Sequence, residues 1–280
     1  MSALLGGGSR SLRTEGVYQR GCCPAEVGIA HSITGAMDRP LQPIYCLADS
    51  QLLFWREDGR AEPWLARVRA GLPEAGARAA YLGASNGDDP AFYSIFRAAA
   101  EGVGIDDHRM VLSRFDGDDR AFLTSADLVV LAGGDPVLGW RLFEQSGLRE
   151  AILRRYFEGA TLLGVSAGSV QLGWLTAPEG AEPEPAGLIH TFRLVPAIVG
   201  VHEEGEGWRR LRRLVSLSGT PLRGLGIPAG GGLVYHPDGV VEPVRYPVHE
   251  LVPEAGRLRQ SLLVPGESAP IEPASAERAH

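Results

Sequence analysis

Asp127-Leu-Val-Val-Leu-Ala-Gly-Gly-Asp135 and Leu162-Leu-Gly-Val-Ser-Ala-Gly-Ser169 decide how this chain is read. Each is a short apolar run that breaks at a glycine turn and passes into a helical pattern, opened by Pro136 in the first and by Ala167 in the second. The second turn carries a serine at its apex. A serine on a sharp strand-to-helix turn projects its hydroxyl beyond the sheet edge. The following helix aims its free backbone N–H groups at the same place. That pairing suits a nucleophile attacking a carbonyl.

The same alternation extends in both directions. Ile44 to Ala48 and Gln51 to Trp55 read as strand-like, Trp64 to Leu72 as helical, and Arg78 to Gly83 as a strand. Pro90 opens a helix that continues over Ala91 to Val103, with Phe92, Ile95, Phe96 and Ala99 on one apolar face. Arg109 to Leu112 is a strand, and Leu148 to Phe157 a second helical run after the one opened by Pro136. Leu194 to Val201 and Leu222 to Ile227 are strands flanking a helix over Gly207 to Leu217, whose apolar face holds Leu211, Leu214 and Val215. Leu233 to His236 and Val240 to Val244 form a hairpin around Asp238-Gly239. The expected architecture is α/β: a mostly parallel, doubly wound sheet with helices on both faces and a C-terminal β-hairpin. Catalytic groups then belong at the carboxyl ends of the strands.

Residues 1–40, rich in Gly, Ser and Arg, read as a disordered extension, and Met37, just ahead of the first strand, as the functional start. Residues 41–265 read as one α/β hydrolytic domain and residues 266–280 as a disordered tail. No internal repeat is visible.

Composition removes several classes of function. With 44% hydrophobic and 22% charged residues, the chain has the balance of a globular protein. Its net charge of −7 argues against nucleic acid or an anionic membrane as partner. No apolar run approaches a membrane span, and no signal-peptide core stands at the N-terminus, so a cytoplasmic location is expected. The three cysteines, Cys22, Cys23 and Cys46, have no metal-site spacing and give no even disulfide framework. No cofactor or metal is expected. All 27 basic side chains are arginines. Without lysine there is no serine–lysine dyad, no Schiff base and no phosphate-binding P-loop.

Gly164-Val-Ser-Ala-Gly168 fits G-x-S-x-G in the required strand–turn–helix context, which nominates Ser166 as nucleophile. The N–H groups of Gly134 and Ala167 are placed to hold an oxyanion. Asp135 fits a substrate contact and equally an N-cap for the helix at Pro136. Of seven histidines, His202 follows the apolar run Ala197-Ile-Val-Gly-Val201 and precedes a helix, which puts it at the same sheet edge as Ser166. Asn86, in the Ser85-Asn-Gly-Asp-Asp89 turn, is either a substrate contact or part of an ordinary turn and cap. Arg209, Arg210, Arg212 and Arg213 offer guanidinium groups to a substrate carboxylate, with Arg210 the chosen candidate.

Together these pieces resemble peptidase family S51, the aspartyl dipeptidase (peptidase E) and cyanophycinase group, whose fold is similar to class I glutamine amidotransferases. The resemblance rests on Ala132-Gly-Gly-Asp135, Gly164-Val-Ser-Ala-Gly168, His202 ahead of Trp208-Arg-Arg-Leu-Arg-Arg-Leu214, and Gly226-Ile-Pro-Ala-Gly230. It covers roughly residues 41–245. It implies that Ser166 is the nucleophile and His202 the general base, acting on a short peptide or isopeptide. Where the family has a glutamate as third member, this chain has Ala229. A Ser–His dyad, a triad completed by Glu203, Glu204 or Glu206, and a decayed peptide-binding homologue all stay open. Glu204-Gly-Glu-Gly207 also departs from the family's Gly-Glu-Thr-Arg, which leaves aspartyl specificity open, with Glu204 a candidate substrate contact. A homodimer is open as well. An α/β-hydrolase esterase is the remaining alternative, since Ser166, Asp238 and His249 stand in that family's chain order.

Overall fold

The computed structural model describes residues 39–270, apart from 181, 255, 267 and 268. The expected N-terminal extension, the start at Met37 and nearly all of the expected tail lie outside the described residues.

Five parallel strands form the frame: β1 (Ile44–Leu47), β2 (Arg78–Leu82), β3 (Asp107–Val111), β4 (Leu128–Leu131) and β5 (Thr161–Val165). They lie in the order β1-β5-β4-β2-β3, so β5 sits between β1 and β4. Their side chains alternate between two cores, as the period of two demands. Tyr45, Leu47, Ala79, Tyr81, Leu128, Val130 and Leu163 face one; Ile44, Cys46, Ala80, Leu82, Val129, Leu131 and Leu162 face the other. A parallel sheet buried on both faces reads as near-continuous apolar runs, which is the pattern seen. Helices α1 (Gln51–Phe54), α2 (Leu65–Ala70) and α3 (Pro90–Glu101) supply the first core. Helices α4 (Gly117–Thr124), α5 (Pro136–Ser146), α6 (Leu148–Phe157) and α7 (Ala167–Leu172) supply the second.

The later strands are β6 (Leu175–Thr176), β7 (Ile189–His190), β8 (Ala197–Val201), β9 (Arg223–Ile227), β10 (Gly232–Tyr235), β11 (Val240–Val244), β12 (Val248–Glu254), β13 (Arg257–Leu263) and β14 (Ala269–Pro270). β10, β11 and β14 extend the main sheet beyond β1. The hairpin expected around Asp238-Gly239 is β10–β11, closed by His236 N–H to Val240 O at 2.8 Å, with Gly239 at φ 88°.

Two readings change and one gains detail. Gln51 to Phe54 is a helix, not a strand: Asp49 Oδ1 accepts the Gln51 N–H at 2.8 Å and starts the turn, and Leu52 and Leu53 are buried at adjacent positions. In α3, Phe96 and Ala99 are buried, but Phe92 and Ile95 stay 45% and 41% exposed. Finally, β8 and β9 do not continue the main sheet. They pair in parallel with each other in a second sheet of order β13-β12-β9-β8, on which α8 (Arg209–Leu217) packs through Leu211, Leu214 and Val215.

Candidate active site

Ser166 occupies the turn between β5 and α7 at φ 49°, ψ −108°, a backbone conformation that is costly outside glycine and persists only where the surroundings impose it. The surroundings do so here. The Ser166 N–H donates to Leu47 O of β1 at 2.9 Å. Ser169 Oγ, fully buried, lies 2.8 Å from Leu47 O and 2.9 Å from Gly164 O and shares its proton between them. A side chain at Gly168 would collide with Leu131 O of β4, and one at Gly164 with the start of α7. The two glycines of the motif therefore let α7 settle onto the strand ends that raise Ser166.

The neighbouring turn is built just as tightly. Gly134, at φ 134°, runs against Ser85 O, where no Cβ would fit. The Asp135 N–H donates to Ser85 O at 2.7 Å. Asn86 Nδ2 donates to Gly133 O at 3.1 Å. Because a trans peptide points its C=O and N–H in opposite directions, this bond turns the Gly134 N–H away from Asn86. Among the described residues, neither the Gly134 N–H nor the Ala167 N–H has an acceptor. Both residues line the cleft beside Ser166.

His202 Nε2 lies 3.0 Å from Ser166 Oγ. The histidine follows β8 at φ 45°, and its N–H donates to Ile227 O of β9 at 2.9 Å. It thus reaches the serine from the second sheet, not from the same sheet edge as expected. Among the described residues, no carboxylate bonds the other ring nitrogen of His202. Glu204 Oε1 instead accepts the Ala229 N–H at 3.1 Å. Glu203 accepts the Leu211 N–H at 3.1 Å. Burial raises the Glu203 carboxyl above the ordinary glutamate value, against the pull of that N–H and of Arg210. Glu206 sits 3.6 Å from Arg209 on the surface.

The other nominated residues have structural partners. Asp135 caps α5, its Oδ1 accepting from Val137 N–H at 2.8 Å and Leu138 N–H at 3.1 Å. Asn86 also accepts the Asp89 N–H at 3.1 Å, so its amide is engaged on both sides. Arg210 lines the cleft but donates to the carbonyls of Ala177, at 2.5 Å, and Pro178, at 3.1 Å. Asp238 accepts the Val240 N–H in its hairpin. His249 bonds Gln260 at 3.0 Å and packs on Trp208. The alternative serine–aspartate–histidine set is therefore not assembled around Ser166.

Two residues escaped the sequence reading. Asp49 Oδ2 accepts the Gly230 N–H at 2.7 Å, tying the end of β1 to the turn after β9; its place just past a strand at the catalytic edge was the available signal. Gln171, buried in α7, donates to Ser85 Oγ at 3.1 Å and Pro136 O at 2.9 Å, locking the two turns together.

Ser166 and Gly134 stand between two cavities. One, of about 580 Å³, also holds His202, Glu203, Glu206 and Arg210. The other, of about 180 Å³, is walled mainly by apolar residues. Among the described residues there is no cluster of metal-ligand type and no helix long and apolar enough to cross a membrane.

Neither a family model nor a curated protein matches this sequence. Solved structures do match in shape. The crystal structure of a peptidase from an acI-B1 Actinobacterium superposes with a TM-score of 0.62 at 18% identity, over 82% of this chain and 97% of that one. A peptidase E candidate protein from Listeria monocytogenes EGD-e gives 0.50 at 12% identity, over 80% and 100%. The fold is peptidase E-like, with a central, mostly parallel sheet flanked by helices.

Proposed function

We propose that this protein is a serine-type hydrolase that cleaves a short peptide or isopeptide through an acyl-enzyme on Ser166. The observation that carries the reading is the 3.0 Å approach of His202 Nε2 to Ser166 Oγ at a strained strand-to-helix turn. His202 takes the hydroxyl proton as Oγ attacks the carbonyl, and the Gly134 and Ala167 N–H groups receive the oxyanion. His202 returns the proton to the departing amine. A water, deprotonated by the same ring, then releases the acid and restores the serine. The match in shape to proteins named as peptidases supports the same class.

A second reading, a slow or inactive peptide-binding relative, is favoured by Ala229 and by the Glu204 carboxylate bonded to its N–H. In serine proteases, loss of the acid that orients the histidine lowers turnover about 10⁴-fold. A fluorophosphonate distinguishes the two: peptide mapping should find the adduct on Ser166 in folded protein and none in Ser166→Ala. A dipeptide library should then show hydrolysis that this variant lacks. Labelling without hydrolysis would favour a slow relative, and absence of labelling would remove the hydrolase reading and leave the inactive peptide-binding one.

A further inference from the structure

Resting on the hydrolase reading, we infer that the acyl half of the substrate carries an uncharged apolar side chain, aromatic or branched aliphatic, seated in the smaller cavity beside Ser166. The division of the site follows from the proton. His202 must hand its proton to the leaving amine, so the leaving group lies on the histidine's side of Ser166. His202 lines the larger cleft and not the smaller one. The acyl carbon's own side chain is left with the cavity on the opposite side.

That cavity is walled by Leu53, Phe92, Ile95 and Phe96, with Tyr81 and Asp49 among the remaining walls. An apolar cavity of about 150 Å³ holds a benzene ring. This one measures about 180 Å³, room for a benzyl or isobutyl group. Among the described residues, no arginine or histidine lines it. Burial pushes the Tyr81 phenol up to about 12, so it stays neutral. Asp49 has both oxygens engaged by the backbone N–H groups of Gln51 and Gly230 and adds negative charge at the wall. A carboxylate side chain entering here would be desolvated without a partner and repelled. Phe92 and Ile95 on α3 are exposed although they share its apolar face with buried Phe96 and Ala99: they present apolar surface that an occupant would cover.

The test compares acylation of Ser166 by p-nitrophenyl esters of phenylalanine, leucine and aspartate, read by intact mass and peptide mapping. Acylation does not require the missing acid to be replaced, so a slow enzyme still reports. Phenylalanine or leucine should acylate about 10- to 100-fold faster than aspartate. Ile95→Asp, at an exposed position and shown folded by circular dichroism, should erase most of that preference. Equal rates or faster acylation by aspartate, with Ser166 still labelled by the fluorophosphonate, would overturn this inference and leave the hydrolase reading standing. Failure of every reagent to modify Ser166 in folded protein would remove both.

Discussion

The proposed nucleophile and its proposed base come from two differently built regions. Ser166, Gly134 and Ala167 sit at the ends of β4 and β5 in the main sheet, where backbone meets backbone. The Gly168 approach to Leu131 O, the Gly134 approach to Ser85 O and the Ser166 N–H bond to Leu47 O leave no slack. His202 arrives from the second sheet on one strand end, held by the bond to Ile227 O and oriented by no carboxylate among the described residues. The contrast teaches where change is tolerated. A nucleophile turn made of close-packed backbone cannot be altered piecemeal, whereas the tuning of a histidine rests on one side chain. A side chain beside His202 can change without disturbing the packing around Ser166.

The largest expected effect tests the rigidity of the first region. Gly168→Ala should abolish labelling of Ser166 and destabilise the fold by about 3 kcal/mol or more, because β4 and α7 must separate. Denaturant unfolding with an unchanged midpoint would show the turn to be softer than described. Next in size is the second region. Ala229→Glu, combined with Glu204→Gln to remove the competing charge, should raise turnover by about 10²-fold or more if a carboxylate there can orient His202. An unchanged rate would mean that a carboxylate at position 229 does not orient His202.

These two substitutions also mark what was legible in the sequence. The glycine turns, Ser166 and His202 could be found because G-x-S-x-G and Gly-Gly-Asp encode backbone approaches that no other residues permit. The second sheet could not be found, because β8 and β9 look like any other apolar strands, and nothing in Ala197 to Val201 tells which neighbour it will take. The β12–β13 hairpin was unread because Arg-Leu-Arg-Gln-Ser-Leu-Leu, over β13, is half-exposed and carries no strong apolar run. Gln51 to Phe54 misled because four mostly apolar residues fit either period. Asn86 was read either as a substrate contact or as part of a turn and cap, and only the fold shows its amide bonded to Gly133 O.

That bond gives a smaller effect. Asn86→Ala should lower the rate of Ser166 acylation about 10-fold with little change in KM, because the Gly134 N–H loses its fixed aim while the binding walls stay in place. A change confined to KM would instead make Asn86 a substrate contact. The smallest effect belongs to Glu203. Its carboxyl is raised by burial, so its contribution to stability is present below the ordinary glutamate range and fades as pH rises through the raised native value. Glu203→Gln should therefore match the parent at low pH and exceed it near neutrality by less than about 1 kcal/mol, given its partial exposure. Denaturant melts at the two pH values would show it, and a deficit at neutral pH would mean that the charged form holds α8 in place.

The central claim is that the imidazole of residue 202 activates the hydroxyl of residue 166 across the two sheets. The direct measurement is the rate of fluorophosphonate attachment to Ser166 in the parent and in His202→Ala, both shown folded by circular dichroism. Activation by the imidazole would show as a fall of about 10²-fold or more in the variant. Equal rates would contradict it.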